Sequence, residues 1–286
     1  MRIGGIDLEG KIFLAPLAGV TTLPVREFFC EHGASLTHTE MISCAGLVRE
    51  NAKTFDMLET SEREGPLVVQ LFANDTGVLV SGGEVVRERL SKSGKFSAFG
   101  INMACPMPKI TKNGCGSALL KKPELSANMV KGLKTLGLPV WVKMRRLESD
   151  DDTLRFADGV ISAGADNVCI HGRTPSQRYE GVADRSIIAF SAREFPGMIS
   201  ASGDVRTVKD IEEYYGCYRK KDDKISELLN FALRADEISG EHKALVLMKR
   251  FAGSILRNER GSAELRQKAM TSTSLEEIIS ILTGGL

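Results

Sequence analysis

The residues best suited to chemistry lie between Asn102 and Ser117. Asn102-Met-Ala-Cys105-Pro106 sets a thiol beside a proline. Lys109, Lys112 and Asn113-Gly-Cys-Gly-Ser117 continue it as a short, basic, glycine-bearing loop. Upstream, Ala98-Phe-Gly-Ile101 reads as the end of a buried strand. A cysteine at a strand's C-terminal end stands where barrel enzymes keep their chemistry. On a mobile loop, a thiol can reach a substrate and give it a proton. Polar residues end other apolar runs in the same way: Glu40, Gln70, Lys143 and His171.

Seven short apolar runs have strand character: 12–15, 36–39, 67–71, 99–102, 140–143, 167–171 and 198–201. Most are near-continuous rather than alternating, as parallel strands buried on both faces should be. Helical patterns fall between them, over 24–33, 78–90, 123–136, 152–163, 184–194 and 207–215. The alternation predicts an α/β fold with a parallel sheet and crossover helices. A (β/α)8 TIM barrel would collect the polar strand ends on one face; a doubly wound open sheet is the rival. An eighth strand is due after Cys217, but Tyr218-Arg-Lys-Lys-Asp-Asp223 has no strand character. Beyond residue 222 only helical stripes remain, among them Leu245, Met248, Ala252 and Ile255, then Leu275, Ile278, Ile279 and Leu282. Ser274 or Thr273 is a plausible N-cap for the last. The expected organisation is therefore a barrel over 1–217 and a small all-helical domain over 222–286.

Composition narrows the class. The 286 residues are 42% hydrophobic and 26% charged, an ordinary globular balance. The net charge of +1 gives no global argument for nucleic acid, so any basic surface must be local. No apolar run is long enough to span a membrane, and the N-terminus lacks the apolar core of a signal peptide. Six cysteines without a Cys-x-x-Cys pair argue against a zinc ribbon or a thioredoxin-type site, and no metal is expected. Scattered thiols fit a reducing cytoplasm.

In order along the chain, Leu14-Ala-Pro-Leu-Ala-Gly-Val-Thr21, Thr39-Glu40-Met41, Val69-Gln70-Leu71-Phe72 and the Asn102–Ser117 segment form a set. Val142-Lys143-Met144-Arg145, His171-Gly-Arg-Thr174 with Gln177, Tyr179 and Gly181, and Ser202-Gly203-Asp204 complete it. With these pieces the chain resembles the tRNA-dihydrouridine synthases, flavin-dependent enzymes that reduce selected uridines in transfer RNA. Departures are Ala104 for the usual Gly, Ser202 for Asn, Leu17 for Met and Arg185 for an aromatic residue. The family's Gly-Arg-Gly stretch, which grips the flavin phosphate, has no counterpart where the eighth strand is due.

The resemblance implies FMN as cofactor, NADPH as reductant and tRNA as partner. Reduction of a uracil ring needs a hydride at C6 and a proton at C5, and no side chain supplies hydride. Cys105 is the expected acid, since a thiol is mostly protonated at neutral pH. Lys143, inside a run of Val and Trp, is costly to bury without a purpose; it would stabilise the anionic end of a reduced flavin. Gln70 would bond the ring edge, His171 the ring or its phosphate, and the backbone of Ala15, Pro16 and Leu17 would lie against the ring. Ser202, Gly203 and Asp204 complete the cofactor set, with the Gly203 amide suited to a phosphate. Asn102 would meet the pyrimidine edge or merely form a turn. Arg145 would meet the substrate or be a surface charge, and Arg173 would serve the substrate.

Between Lys243 and Lys268 seven basic residues face two acidic ones. Lys249, Arg250 and Arg257 are the expected RNA contacts, with Arg250 and Arg257 on one helix face. Lys109 would add a phosphate contact. Two other readings stand beside this one: a free-pyrimidine flavin oxidoreductase like the dihydroorotate dehydrogenases, and a catalytically silent RNA-binding protein. The uridine position reduced and the oligomeric state are not legible in the residues.

Overall fold

The computed structural model describes residues 2–205, 224–255 and 262–283. A hairpin opens the chain, β1 (Arg2–Ile3) and β2 (Ile6–Asp7), paired antiparallel. Then follow α1 (Leu23–Glu31), β3 (Thr37–His38), β4 (Ile42–Ser43), α2 (Cys44–Val48), α3 (Ala52–Phe55), β5 (Leu67–Phe72) and α4 (Thr76–Leu90). Next come β6 (Phe96–Met103), α5 (Pro108–Thr111), α6 (Pro123–Lys134), β7 (Val140–Arg145) and α7 (Asp150–Ser162). β8 (Asn167–His171), α8 (Arg185–Glu194) and β9 (Ile199–Ser202) end this part. Four helices follow: α9 (Lys224–Ser239), α10 (Glu241–Ile255), α11 (Ser262–Thr271) and α12 (Leu275–Leu282).

The strands form one parallel sheet in the order β3-β5-β6-β7-β8-β9, with β4 also paired to β5. Phe13 extends it by a single parallel bridge to Leu36. The first expected strand, 12–15, is thus reduced to one bridge, and Pro16 brings no N–H to lengthen it. The sheet is curled. Phe13 and Trp141 lie four strand spacings apart, about 19 Å in a flat sheet, yet their ring centroids are 5.8 Å apart. This is a half-barrel, α/β as expected. The eighth strand and the 207–215 helix fall outside the described residues.

Side-chain alternation gives the sheet two different faces. Val69, Leu71, Phe99, Ile101, Val142, Met144 and Ile170 point outward and pack under α4, α6, α7 and α8 through residues such as Leu79, Met129, Phe156 and Ile187. The inner face is apolar only at its N-terminal end, where Ile6, Leu8, Leu36, Val68, Ala98 and Trp141 cluster. There Trp141 Nε1 donates to the Gly4 carbonyl (3.0 Å), so the opening hairpin, which sequence patterning does not reveal, closes the barrel floor. Above this floor the inner face is polar. Asp75, Ser149, Asp184 and Ser274 accept N-cap hydrogen bonds at α4, α7, α8 and α12.

The C-terminal helices share a second core with the barrel part. Leu14, Val25 and Phe28 pack with Leu228, Phe231, Ala232, Leu247 and Met248. Arg234 on α9 bridges Glu27 on α1 (2.8 Å). On α1 itself, buried Arg26 pairs with buried Glu64 (2.6 Å) and donates to the carbonyls of Thr21 and Glu59.

Candidate active site

Register decides which polar residues meet. Asn102 stands opposite Lys143, Lys143 opposite Cys169, Arg145 opposite His171, and His171 opposite Ser202. Adjacent parallel residues share a face, so Asn102, Lys143, Cys169, His171 and Ser202 all look into the barrel. Gln70 joins them: Asn102 Nδ2 donates to Gln70 Oε1 at 2.8 Å.

Cys105 follows directly on β6 and is half-buried. Asn102 Oδ1 accepts from the backbone amides of Ala104 (3.2 Å) and Cys105 (3.0 Å), turning the chain over the strand end. The turn-forming alternative for Asn102 is therefore realised, alongside its bond to Gln70. The Cys105 carbonyl in turn accepts from Ser117 N (3.0 Å). This return contact needs Gly116, at φ +61°, because a Cβ there would stand 2.6 Å from the Cys105 carbonyl oxygen. The glycine-bearing motif thus folds the loop back onto the thiol's backbone. Lys109 is exposed on α5, while Cys115 is buried.

Lys143 Nζ donates to Ser202 Oγ at 2.8 Å. Among the described residues no carboxylate pairs with it. Burial pushes its ammonium below the usual lysine range; Cys169 beside it opposes that shift and Arg145 adds to it. His171 is held neutral, down to about 3, first by burial and then by Lys143, Arg145 and Arg173. Arg173 is itself buried, bridging Asp204 (2.7 Å) and donating to the carbonyls of Glu180 and Gly181. Asp204 also accepts from Ala183 N (2.8 Å). Gly203, at φ +110°, lies where a Cβ would meet Ala183 Cβ at 2.8 Å and His171 Nε2 at 3.2 Å.

The mouth therefore joins a cation without a paired anion among the described residues, a neutral imidazole, an amide pair and a side-chain-free glycine. That donor set is of the kind that suits an electron-rich planar ring carrying a phosphate. The backbone of Ala15, Pro16 and Leu17 runs beside this end, between Leu14, whose carbonyl meets His38 Nδ1 (2.8 Å), and a turn closed by Thr21. Leu17 is 49% exposed.

Two expected substrate residues have other neighbours. Arg145 is no surface charge: it is 2% exposed. Its Nε donates to Ala104 O (2.9 Å) and its Nη1 to Thr174 O (3.1 Å) and Arg178 O (2.6 Å). Arg173 is equally buried, and its guanidinium serves Asp204 and a loop backbone. Cys169, which the sequence offers only as one of the scattered cysteines within the 167–171 strand, stands inside the barrel beside Lys143; the i, i+2 spacing with Asn167 and His171 is the signal for that placement. On the helices, Lys243 and Arg250 are exposed and Lys249 partly buried on α10. Arg250 Nη1 donates to the carbonyl of Gly19. Arg257 lies outside the described residues. Among the described residues no cluster of His, Cys, Asp and Glu could hold a metal, and no helix is long and apolar enough to cross a membrane.

The family model described as dihydrouridine synthase (Dus) matches residues 13–217. A probable tRNA-dihydrouridine synthase of Treponema pallidum is 31% identical over 222 residues, covering 73% of this chain and 64% of the relative. The tRNA-dihydrouridine synthase B of Pasteurella multocida is 32% identical over 212 residues, covering 73% of this chain and 62% of the relative. A probable tRNA-dihydrouridine synthase of Rhizobium leguminosarum bv. phaseoli is 30% identical over 212 residues, covering 73% of this chain and 65% of the relative. The chain thus spans somewhat under two thirds of these relatives. The matched span contains Cys105, Lys143, His171 and Ser202 together with the strands that carry them, and the chain belongs to the dihydrouridine synthase family.

Proposed function

We propose that this protein reduces uridines in tRNA to 5,6-dihydrouridine, with FMN held in the barrel mouth, NADPH as reductant and Cys105 as proton donor. The observation that carries the reading is the convergence of Gln70, Asn102, Lys143, His171 and Ser202 on one inner face, with Cys105 on the loop directly above Asn102. When bound, reduced FMN supplies the hydride for C6 of the uracil ring. Lys143, lacking an anionic partner among the described residues, balances negative charge at the mouth. His171, neutral, donates or accepts a hydrogen bond without adding charge. Cys105 delivers the proton to C5 from a loop held by Asn102 and Ser117. Residues 1–217 form the flavin unit in this reading, and 222–286 the tRNA-binding one. Lys249, Arg250 and Arg257, with Lys109 on the barrel rim, are its phosphate contacts.

Two measurements test it. The purified protein should show a flavin spectrum; a colourless preparation that takes up no FMN would sink the reading. With NADPH and unmodified tRNA it should form dihydrouridine. Reduction of free uracil or orotate instead would move it to the free-pyrimidine oxidoreductases.

A further inference from the structure

The two loops flanking the mouth have no regular structure of their own. Residues 104–107 leave β6 as irregular chain, and residues 172–184 run from β8 to α8 without helix or strand. Segments of this kind take their position from side-chain ties. One side chain ties both. Arg145 Nε donates to the Ala104 carbonyl, one residue before Cys105, and Nη1 donates to the carbonyls of Thr174 and Arg178. The Tyr179 ring, 67% exposed, covers the same guanidinium, with Arg145 Cζ 5.4 Å from the ring centroid.

Three further facts bear on this arrangement. Arg145 is buried, yet among the described residues its partners are backbone carbonyls and the ring and hydroxyl of Tyr179 rather than a carboxylate. A charge buried this way is tolerated only when its hydrogen bonds are made. Arg178, whose carbonyl takes the shortest of these bonds, is held at φ +49°, a left-handed backbone that a non-glycine residue keeps only when its surroundings impose it. Finally, the contact uses donors pointing in diverging directions from one rigid plane, which a lysine cannot reproduce.

We propose that Arg145 is a positioning residue that clasps the Cys105 loop to the 174–181 loop, so that the proton donor and the Tyr179 side of the mouth move as one unit. This rests on the reading of Cys105 as the proton donor. The clasp sets where the thiol stands when RNA enters. It links any displacement of Tyr179 by an incoming nucleotide to the thiol through one guanidinium.

The test uses the full-length, flavin-loaded protein and the alkylation rate of individual cysteines with iodoacetamide, read by peptide mass spectrometry. Arg145→Lys keeps the positive charge and loses the fork. Tyr179→Ala alters an exposed residue on the other loop. Cys105 should be alkylated about tenfold faster in Arg145→Lys, a change of about 1.4 kcal/mol, within what loss of hydrogen bonds from a charged donor allows. In Tyr179→Ala the rise should be about threefold, on the scale of an exposed cation–π contact. Buried Cys44 should stay unlabelled in both. With tRNA, kcat should fall about tenfold in Arg145→Lys while KM changes less than about twofold, the pattern of a group acting on the step rather than on binding. Wild-type alkylation of Cys105 in both variants overturns the clasp. So does a raised KM with unchanged alkylation, which would make Arg145 an RNA contact. If Arg145→Lys exposes Cys44 and so fails to fold, Tyr179→Ala decides alone by the same criterion. Should Cys105→Ala retain turnover, the proton-donor reading falls, and the alkylation comparison still judges the clasp.

Discussion

Lys143 Nζ reaches across β8 to donate to Ser202 Oγ at 2.8 Å, joining the fourth and last strands of the parallel sheet's main path inside the barrel mouth. The hydroxyl is neutral, so this bond solvates the ammonium's charge without cancelling it. Lys143→Met is expected to weaken FMN binding at least about tenfold, the scale of a hydrogen bond to a charged group. Titration of the flavin-free protein with FMN, followed by flavin fluorescence, measures it. An unchanged Kd would mean that Lys143 only braces Ser202.

Cys105→Ala should leave the flavin spectrum intact and lower dihydrouridine formation by about 10²–10⁴-fold, the usual contribution of a positioned acid. Single-turnover oxidation of the NADPH-reduced enzyme by tRNA is the appropriate assay. Wild-type turnover would remove Cys105 from its proposed role.

His171 gives stability a pH dependence of known sign. Its imidazole titrates at about 3 in the folded chain, against an ordinary value near 6.5. Between these values the unfolded chain takes up a proton that the native one refuses. The neutral ring's contribution is complete above about pH 6.5 and is lost progressively as pH falls toward 3. The limiting slope is about 1.4 kcal/mol per pH unit. The ring is partly open to the mouth, so a smaller slope is expected. His171→Gln should flatten the difference in urea midpoint between pH 7 and pH 4, after subtraction of the shared carboxylate titration. Parallel curves for the two proteins would contradict the assignment.

Arg26 and Glu64 are both buried and joined at 2.6 Å. Glu64→Gln leaves the guanidinium without its countercharge and should cost about 3–5 kcal/mol. Denaturant unfolding monitored by Trp141 fluorescence reads this directly. A loss under about 1 kcal/mol would show that the Thr21 and Glu59 carbonyls suffice for Arg26.

Gly203→Val combines a φ of +110° with a Cβ facing Ala183 and His171. Strain of about 1–3 kcal/mol is expected, together with loss of bound flavin as the side chain fills the cradle. The flavin-to-protein absorbance ratio after gel filtration reports the second effect. Retention of a full flavin complement would place the phosphate elsewhere.

The helices and most strands were legible because burial imposes a period on each element: continuous apolar runs for two-sided strands, stripes for helices. The polar residues that interrupt these apolar runs were readable, but only His171 ends its strand: β5, β6 and β7 run one or two residues past Gln70, Asn102 and Lys143. The opening hairpin was not legible: two residues per strand carry too little pattern, and its role under Trp141 depends on a contact across 137 positions. Nor were the tasks of Arg145 and Arg173. As residue types both suited a polyanionic substrate. Their partners are carbonyls and a carboxylate that the chain brings back from up to 41 positions away.

The amino-acid sequence alone thus determined the α/β class, the succession of its main strands and helices along the chain and the polar residue types near the strands' C-terminal ends, because these follow from local periodicity and position along the chain. Only the tertiary structure decided which of those side chains face one another and which are already engaged. Register and curl bring Lys143 to Ser202 and Asn102 to Gln70, and they turn Arg145 inward to hold the two loops beside Cys105. Such pairings follow from distances between strands far apart in sequence, and no local pattern encodes them.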